Sequence, residues 1–306
     1  MLRNALLWAS TNPFLARRLP RYAFVRRATR RFMPGETPED ALLAAQGLRD
    51  LGAPTTLTLL GENVTTAAGA DAVTDHYLRV LDEVRARGLD TEISVKPSQL
   101  GLDLGLDGAR RRLERIVEAS DSERVVWMDM ESSAYVDPTL EIFRSVRQNR
   151  GNLGLCLQAY LRRTEPDLEE LLPLSPAIRL VKGAYREPPD VAFPRKADVD
   201  RNFLRLAGML LAARGVGAAG RPVMGTHDLR IIEEAERLAR EAGVGADDWE
   251  VAMLYGIRTD EQVRLIGSGL ALRVLISYGT AWFPWYLRRL AERPANVWFV
   301  LKQLAG

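Results

Sequence analysis

The chain has 306 residues, 47% of them hydrophobic, enough to bury one large core or two ordinary ones. Its formal charge of +2 is unevenly spread, because eight Arg and no acid precede Glu36, and the remainder is therefore net acidic. The single Cys156 excludes a disulfide scaffold, the two histidines His76 and His227 exclude a multi-histidine metal site, and no apolar run approaches the ~20 residues that cross a bilayer. With no secretory-signal pattern either, a reducing, cytoplasmic setting is expected, without a metal. Only Lys96, Lys182, Lys196 and Lys302 are lysines against 38 Arg, so Lys is kept for places where a compact ammonium suits.

Residues 1–36 read as a basic helical arm in which Trp8, Phe14, Tyr22, Phe24 and Phe32 interrupt the Arg residues and Pro13 and Pro20 break the pattern. Such an arm suits the inner face of an anionic membrane, or packs its apolar stripe on the following domain. A transit peptide shares the Arg bias, and no nucleic-acid partner is expected. Thr37-Pro38-Glu39-Asp40 is a helix start with Pro in the first turn, and residues 37–306 are expected to form one domain.

Along that domain, short apolar runs read as buried parallel strands: Thr55–Leu60, Glu92–Val95, Val125–Met130, Leu153–Leu157, Ile178–Val181, Pro222–Met224, Trp249–Met253 and Leu272–Ile276. Helical patterns lie between them, near 71–87, 108–119, 137–149, 166–172, 198–213, 228–242, 259–267 and 282–292. The alternation predicts an α/β fold, a closed (β/α)8 barrel, with a doubly wound open sheet as the alternative. Ala295–Leu304, after Pro294, reads as a closing helix. Gly215-Val216-Gly217-Ala218-Ala219-Gly220 matches G-x-G-x-x-G. It ends a helix and leads into a strand, the reverse of a dinucleotide-binding turn, and is read as a helix C-cap.

In a barrel, reactive groups gather at the C-terminal ends of strands. Those ends carry Lys96-Pro97-Ser98-Gln99, Asp129-Met130-Glu131, Gln158-Ala159-Tyr160, Lys182-Gly183-Ala184-Tyr185, Thr226-His227-Asp228 and Ser277-Tyr278-Gly279-Thr280. Each has a plain structural reading, such as a Lys ending a strand before Pro, Asp129 capping a turn, or Asp228 as an N-cap. Arg179 differs, because it lies inside an apolar strand, where a buried cation requires a partner. One pocket explains so many polar strand ends better than separate coincidences do. Downstream, Tyr286-Leu287-Arg288-Arg289-Leu290-Ala291-Glu292 lies in a helical pattern that sets Arg288 one turn from Glu292. An Arg pair braced by an acid suits a bidentate grip on a small carboxylate or phosphate; taken alone, these seven residues favour a solvated helix face. From the residues alone this is a barrel enzyme acting on a small acid, with a nucleotide-like cofactor, or a phosphate-binding aldolase or isomerase.

Arg179-Leu180-Val181-Lys182-Gly183-Ala184-Tyr185, with Gln158-Ala159-Tyr160-Leu161 before it and Tyr286-Leu287-Arg288-Arg289…Glu292 after it, resembles proline dehydrogenase. The order of Lys96, Asp129, Gln158, Arg179, Thr226-His227 and Arg288-Arg289 is similar too, from about residue 40 to the end. The resemblance implies a monofunctional bacterial enzyme that holds FAD noncovalently in a (β/α)8 barrel, oxidises L-proline to Δ1-pyrroline-5-carboxylate and passes electrons to a membrane quinone. A separate pyrroline-5-carboxylate dehydrogenase would then act downstream. Carried over, Lys96, Arg288 and Arg289 would bind the proline carboxylate, Glu292 would orient the Arg pair, and Tyr185 and Tyr286 would wall the pocket. Arg179 would sit by the flavin N5 and Asp129 near it, while Met130, Gln158, Lys182, Gly183, Ala184, Thr226 and His227 would contact FAD. A cationic pocket is expected to favour the neutral substrate amine and the reduced flavin. One departure stands out: where the family commonly has Tyr, four residues before Gly279, this chain has Leu275, which leaves room for hydroxyproline or another cyclic imino acid.

Overall fold

Strands buried on both faces need helices outside and a filled interior, and the chain meets both needs by winding into a closed parallel barrel. The computed structural model describes residues 12, 29, 31–283 and 285–287. Helix α1 (Pro38–Arg49) leads into β1 (Thr55–Leu59), α2 (Ala67–Ala86), β2 (Thr91–Val95), α3 (Leu106–Ala119), β3 (Val126–Met128), α4 (Val136–Arg147) and β4 (Leu153–Gln158). The second half runs α5 (Thr164–Leu171), β5 (Ala177–Val181), α6 (Lys196–Gly215), β6 (Pro222–Gly225), α7 (Leu229–Glu241), β7 (Glu250–Leu254), α8 (Thr259–Gly267) and β8 (Leu272–Tyr278). Strands pair in sequence order and β8 closes on β1, with Thr55 opposite Val274 and Thr58 opposite Ser277. The open doubly wound sheet is thereby excluded. Every strand expected from the sequence is present, most of them shifted by a residue or two at one end.

Local chemistry accounts for the boundaries. Thr37 and Asp40 form a reciprocal capping box at the start of α1, with Pro38 in the first turn. The glycine-rich decoy behaves as a helix end: α6 stops at Gly215, Gly217 takes φ +75°, Ala218 N–H returns to the Ala213 carbonyl at 2.7 Å, and β6 follows. The described end of the arm packs on the barrel, with Phe32 and Met33 buried and Trp282 Nε1 donating to Glu36 at 2.8 Å. The arm before residue 29 and the closing segment 295–304 lie outside the described residues, except for residue 12.

Alternate residues of each strand face opposite ways. The outward set, including Leu57, Ile93, Val126, Leu155, Leu180, Met224, Val251 and Val274, packs against the helices as the main core. The inward set is different in kind. Trp127, Ala177 and Val223 form a small apolar plug, with Val125 and Ala252 against it. Towards the N-terminal mouth sits a buried charge cluster. Glu92 accepts from Arg221 at 2.5 Å and from the Trp127 indole N–H at 2.6 Å, and Arg273 bridges Glu250 at 3.1 Å and lies 3.4 Å from Glu92. Burial pushes the Glu92 pKa up, but Arg273 and Arg221 outweigh it and hold the carboxyl below the usual range.

Removing one member of such a cluster leaves buried charge without a partner. Glu92→Ala should lower the unfolding free energy, measured by urea denaturation, by about 3–5 kcal/mol. A loss under about 1 kcal/mol would contradict this reading of the mouth.

Candidate active site

Strand periodicity brings the pocket residues together. Ser94 shares the inward face of β2 with Glu92 and Lys96 follows the strand directly, Asp129 lies two residues beyond the inward Trp127, and Arg179 stands opposite Cys156 across β4 and β5. Asp129 joins them. Its Oδ1 accepts from Arg179 at 2.5 Å and from Ser94 Oγ at 2.8 Å, and its Oδ2 accepts from Lys96 at 3.2 Å. Arg179 also donates to Ser94 Oγ at 2.8 Å. The arrangement holds two cations against one acid. Burial works against ionised Asp129, but the Lys96 and Arg179 charges prevail and keep its carboxyl below the usual range. Among the described residues Asp129 is the one partner of Lys96 Nζ, whose ammonium has three donors.

A second node lies after β5. Lys182 donates to Asp200 at 2.5 Å and Asp228 at 3.3 Å, and Lys196 pairs with the same two acids. Asp228 therefore stands at the N-cap of α7 without capping it, its carboxylate turned to the lysines instead. Thr226 Oγ1 accepts the Asp228 N–H at 3.1 Å, and His227 Nε2 accepts the Leu254 N–H at 3.4 Å. Between the two nodes, Gln158 Nε2 donates to the Met130 carbonyl at 3.0 Å. Its Oε1 is buried and has no partner among the described residues. Gly183 takes φ +110°, and a Cβ there would fall 2.1 Å from the Tyr160 ring, so the Lys182–Ala184 backbone lies close against that ring.

Inward-facing Val181, Gly225, Ala252, Leu254 and Leu275 are each only half-buried, an apolar wall at the C-terminal end of β5–β8 beyond the buried Arg179, Glu250 and Arg273. Leu275 is on that wall, in register with Leu254 and Thr56. At the rim, Tyr185 OH donates to Glu62 at 3.1 Å, and buried Tyr286 packs against Phe32 and Trp282 with ring centroids 6.0 and 6.4 Å away.

The predicted set thus divides into groups. Lys96, Asp129 and Arg179 are in direct contact, Gln158 meets Met130, and Lys182 reaches Asp228 beside Thr226 and His227. Tyr185 and Tyr286 belong to the rim, while Arg288, Arg289 and Glu292 lie outside the described residues. Sequence reasoning missed Ser94, Glu62 and Asp200. Ser94 had a signal, since it precedes Lys96 by two on the same strand face; Glu62 in a loop and Asp200 in the first turns of α6 had none. It also left unexplained Glu131, whose carboxylate accepts both the N–H and the Oγ–H of Ser98, at 2.9 and 2.6 Å.

A closed parallel barrel whose strand ends gather a buried acid between two cations defines a (β/α)8 barrel of the enzyme type. The chain belongs to the proline dehydrogenase family, whose model matches residues 41–302. It is 37% identical to proline dehydrogenase 1 of Bacillus subtilis subsp. natto over 99% of this chain and 98% of that one. It is 39% identical to the proline dehydrogenase of Deinococcus radiodurans over 89% and 88% of the two chains. The fold is also similar to the crystal structure of proline utilization A from Bdellovibrio bacteriovorus, with a TM-score of 0.81 and 22% identity. That likeness covers 95% of this chain but only 36% of the longer one. Family membership displaces the phosphate-binding aldolase or isomerase considered from the sequence. Among the described residues no helix is long and apolar enough to cross a membrane.

The folded pKa of Asp129 lies below its unfolded one, so its stabilisation is complete above the unfolded value and is lost as pH falls through the folded value. Asp129→Asn, which strips Lys96 and Arg179 of their counter-charge, should lower the unfolding free energy by about 3 kcal/mol near pH 7. The gap to the wild type should close below about pH 4 in urea titrations. A gap that does not change with pH would contradict the assignment.

Proposed function

We propose that this chain oxidises L-proline to Δ1-pyrroline-5-carboxylate, with noncovalent FAD in the barrel and a membrane quinone as the final electron acceptor. Family membership supports the substrate class, and the observation that carries the reading is the buried Lys96–Asp129–Arg179 set with its surplus positive charge. When bound, FAD would supply a hydride acceptor at N5 for the hydrogen on C5 of proline.

The residues present fit such a group. Gln158 offers a buried, unused acceptor to a ring N–H, the half-buried apolar wall of Val181, Leu254 and Leu275 suits the face of a planar ring, and the Lys182-Gly183-Ala184 backbone permits close approach. Met130, Thr226 and His227 complete the residues assigned to hold it. On the substrate side, Lys96 with Arg288 and Arg289 takes the carboxylate by charge-assisted hydrogen bonds, Glu292 orients the Arg pair, and Tyr185 and Tyr286 wall the ring. The clamp fixes which carbon is presented for transfer. Asp129, held ionised by its two cations, acts as counter-charge rather than proton acceptor. The surplus cation beside the pocket lowers the amine pKa of bound proline and favours the neutral nitrogen that imine formation requires. Arg179 stabilises the negative charge that arrives with the hydride.

The arm is assigned to peripheral contact with the membrane that holds the quinone, and a separate pyrroline-5-carboxylate dehydrogenase would consume the product. Leu275, on the pocket wall without a hydroxyl, leaves hydroxyproline or another cyclic imino acid as a second substrate to be compared with proline by kcat/KM.

Anaerobic addition of L-proline to the purified protein should bleach its flavin absorbance, and a colourless protein would overturn the reading. Lys96→Ala should raise KM for proline about 10- to 100-fold with flavin still bound, the loss of one charge-assisted hydrogen bond. An unchanged KM would remove Lys96 from the carboxylate clamp.

A further inference from the structure

Beneath Arg179 the barrel interior holds an aromatic residue that the proposed chemistry does not use. The Arg179 guanidinium carbon lies 5.0 Å from the centroid of the Trp127 ring, and that of Arg221 lies 5.5 Å from the same ring. Both distances are within the range in which a cation is held by the quadrupole of an indole face. Trp127 is itself fully buried and pinned, its indole N–H donating to Glu92 at 2.6 Å. Glu92 in turn accepts from Arg221 at 2.5 Å, while Arg221 Nε has no hydrogen-bond partner among the described residues. Gly154 on the neighbouring strand makes room for the ring, since a Cβ there would fall 2.8 Å from Trp127 Cε3.

We infer that Trp127 is a positioning residue for Arg179. It forms the floor on which the guanidinium is set while Asp129 and Ser94 fix it from the side, and it is held level by the Glu92–Arg221 pair below. Arg179 donates through one nitrogen, Nη2, to Asp129 Oδ1 and Ser94 Oγ, with the Cys156 thiol beside it, so these bonds fix one corner of the planar group and leave it freedom to tilt. An aromatic face beneath removes that freedom. The interaction also links the two ends of the barrel, because the charge cluster of the N-terminal mouth reaches the pocket through one side chain. This inference rests on the flavin reading above and extends it by naming what holds the cation that reading assigns to the flavin N5.

The test is the midpoint potential of the flavin in the holoenzyme, since a cation close to the ring favours its reduced, anionic form. Arg179→Met should lower the potential. Trp127→Leu, which keeps Arg179 but removes the aromatic face, should lower it by about 30 mV, a tenfold change in the reduction equilibrium of a two-electron couple. The double variant should lie no lower than Arg179→Met alone. In steady state Trp127→Leu should lower kcat with KM for proline within twofold of wild type, because the carboxylate is held elsewhere. Should Trp127→Leu fail to fold, Trp127→Met, which fills the space with an unbranched side chain lacking a π face, gives the same reading. A potential that falls in Arg179→Met but not in the Trp127 variants overturns the inference and leaves the flavin reading standing. A potential that Arg179→Met does not move overturns the inference by removing the role it supports. A protein purified without flavin overturns both.

Discussion

Asp129 stands between Lys96 and Arg179 at the one end of the barrel where the interior is open. Isolated, each of these groups would be too costly to bury: an ion moved into a low-dielectric interior loses several kcal/mol even after relaxation. Together they are tolerable, and their geometry is set close to the barrel frame: Arg179 lies on β5, while Lys96 and Asp129 are the first residues after β2 and β3. Two cations against one acid nevertheless leave the set positively charged. On the proposed reading, a pocket built on it is completed by the carboxylate of the substrate.

The two ends of the barrel put similar residues to different uses. At the N-terminal mouth the charges of Glu92, Glu250, Arg221 and Arg273 pair with one another and close the interior. At the C-terminal mouth the balance is left incomplete, and inward-facing Val181, Leu254 and Leu275 are half-buried where comparable positions lower down are filled. The lower end holds the fold, and the upper end leaves room for ligands. Between them Trp127 touches both, donating to Glu92 below while Arg179 lies over its ring. A change at the closed mouth is therefore expected to be felt at the open one.

Much of this was legible in the chain. Runs such as Leu153–Leu157 and Leu272–Ile276 are too short for helices and too apolar for exposed strands, so a parallel barrel followed from their alternation with helical patterns. Scarcity of lysine drew notice to Lys96, Lys182 and Lys196, each of which pairs with an acid in the fold. Arg179 was readable because a cation inside an apolar strand demands a partner. What stayed hidden depends on through-space geometry. Glu62 reaches Tyr185 across 123 residues and Lys182 reaches Asp228 across 46, pairings that no local pattern encodes. Trp127 looked like one more apolar strand residue, because a stack of Arg side chains leaves no mark on periodicity. Asp228 shows the opposite failure: its position at the start of α7 fits a cap, but two lysines outcompete the helix N–H groups for its carboxylate.

The proposed grip of Lys96 on a carboxylate can be measured without any turnover. Isothermal titration of the flavin-loaded protein with cyclopentanecarboxylate, which keeps the ring and carboxylate of proline but has no nitrogen to oxidise, should give saturable binding. Cyclopentanecarboxamide, of the same shape but uncharged, should bind at least about tenfold more weakly, the difference of one charge-assisted hydrogen bond. Equal affinity for acid and amide would contradict a pocket organised around two cations sharing Asp129.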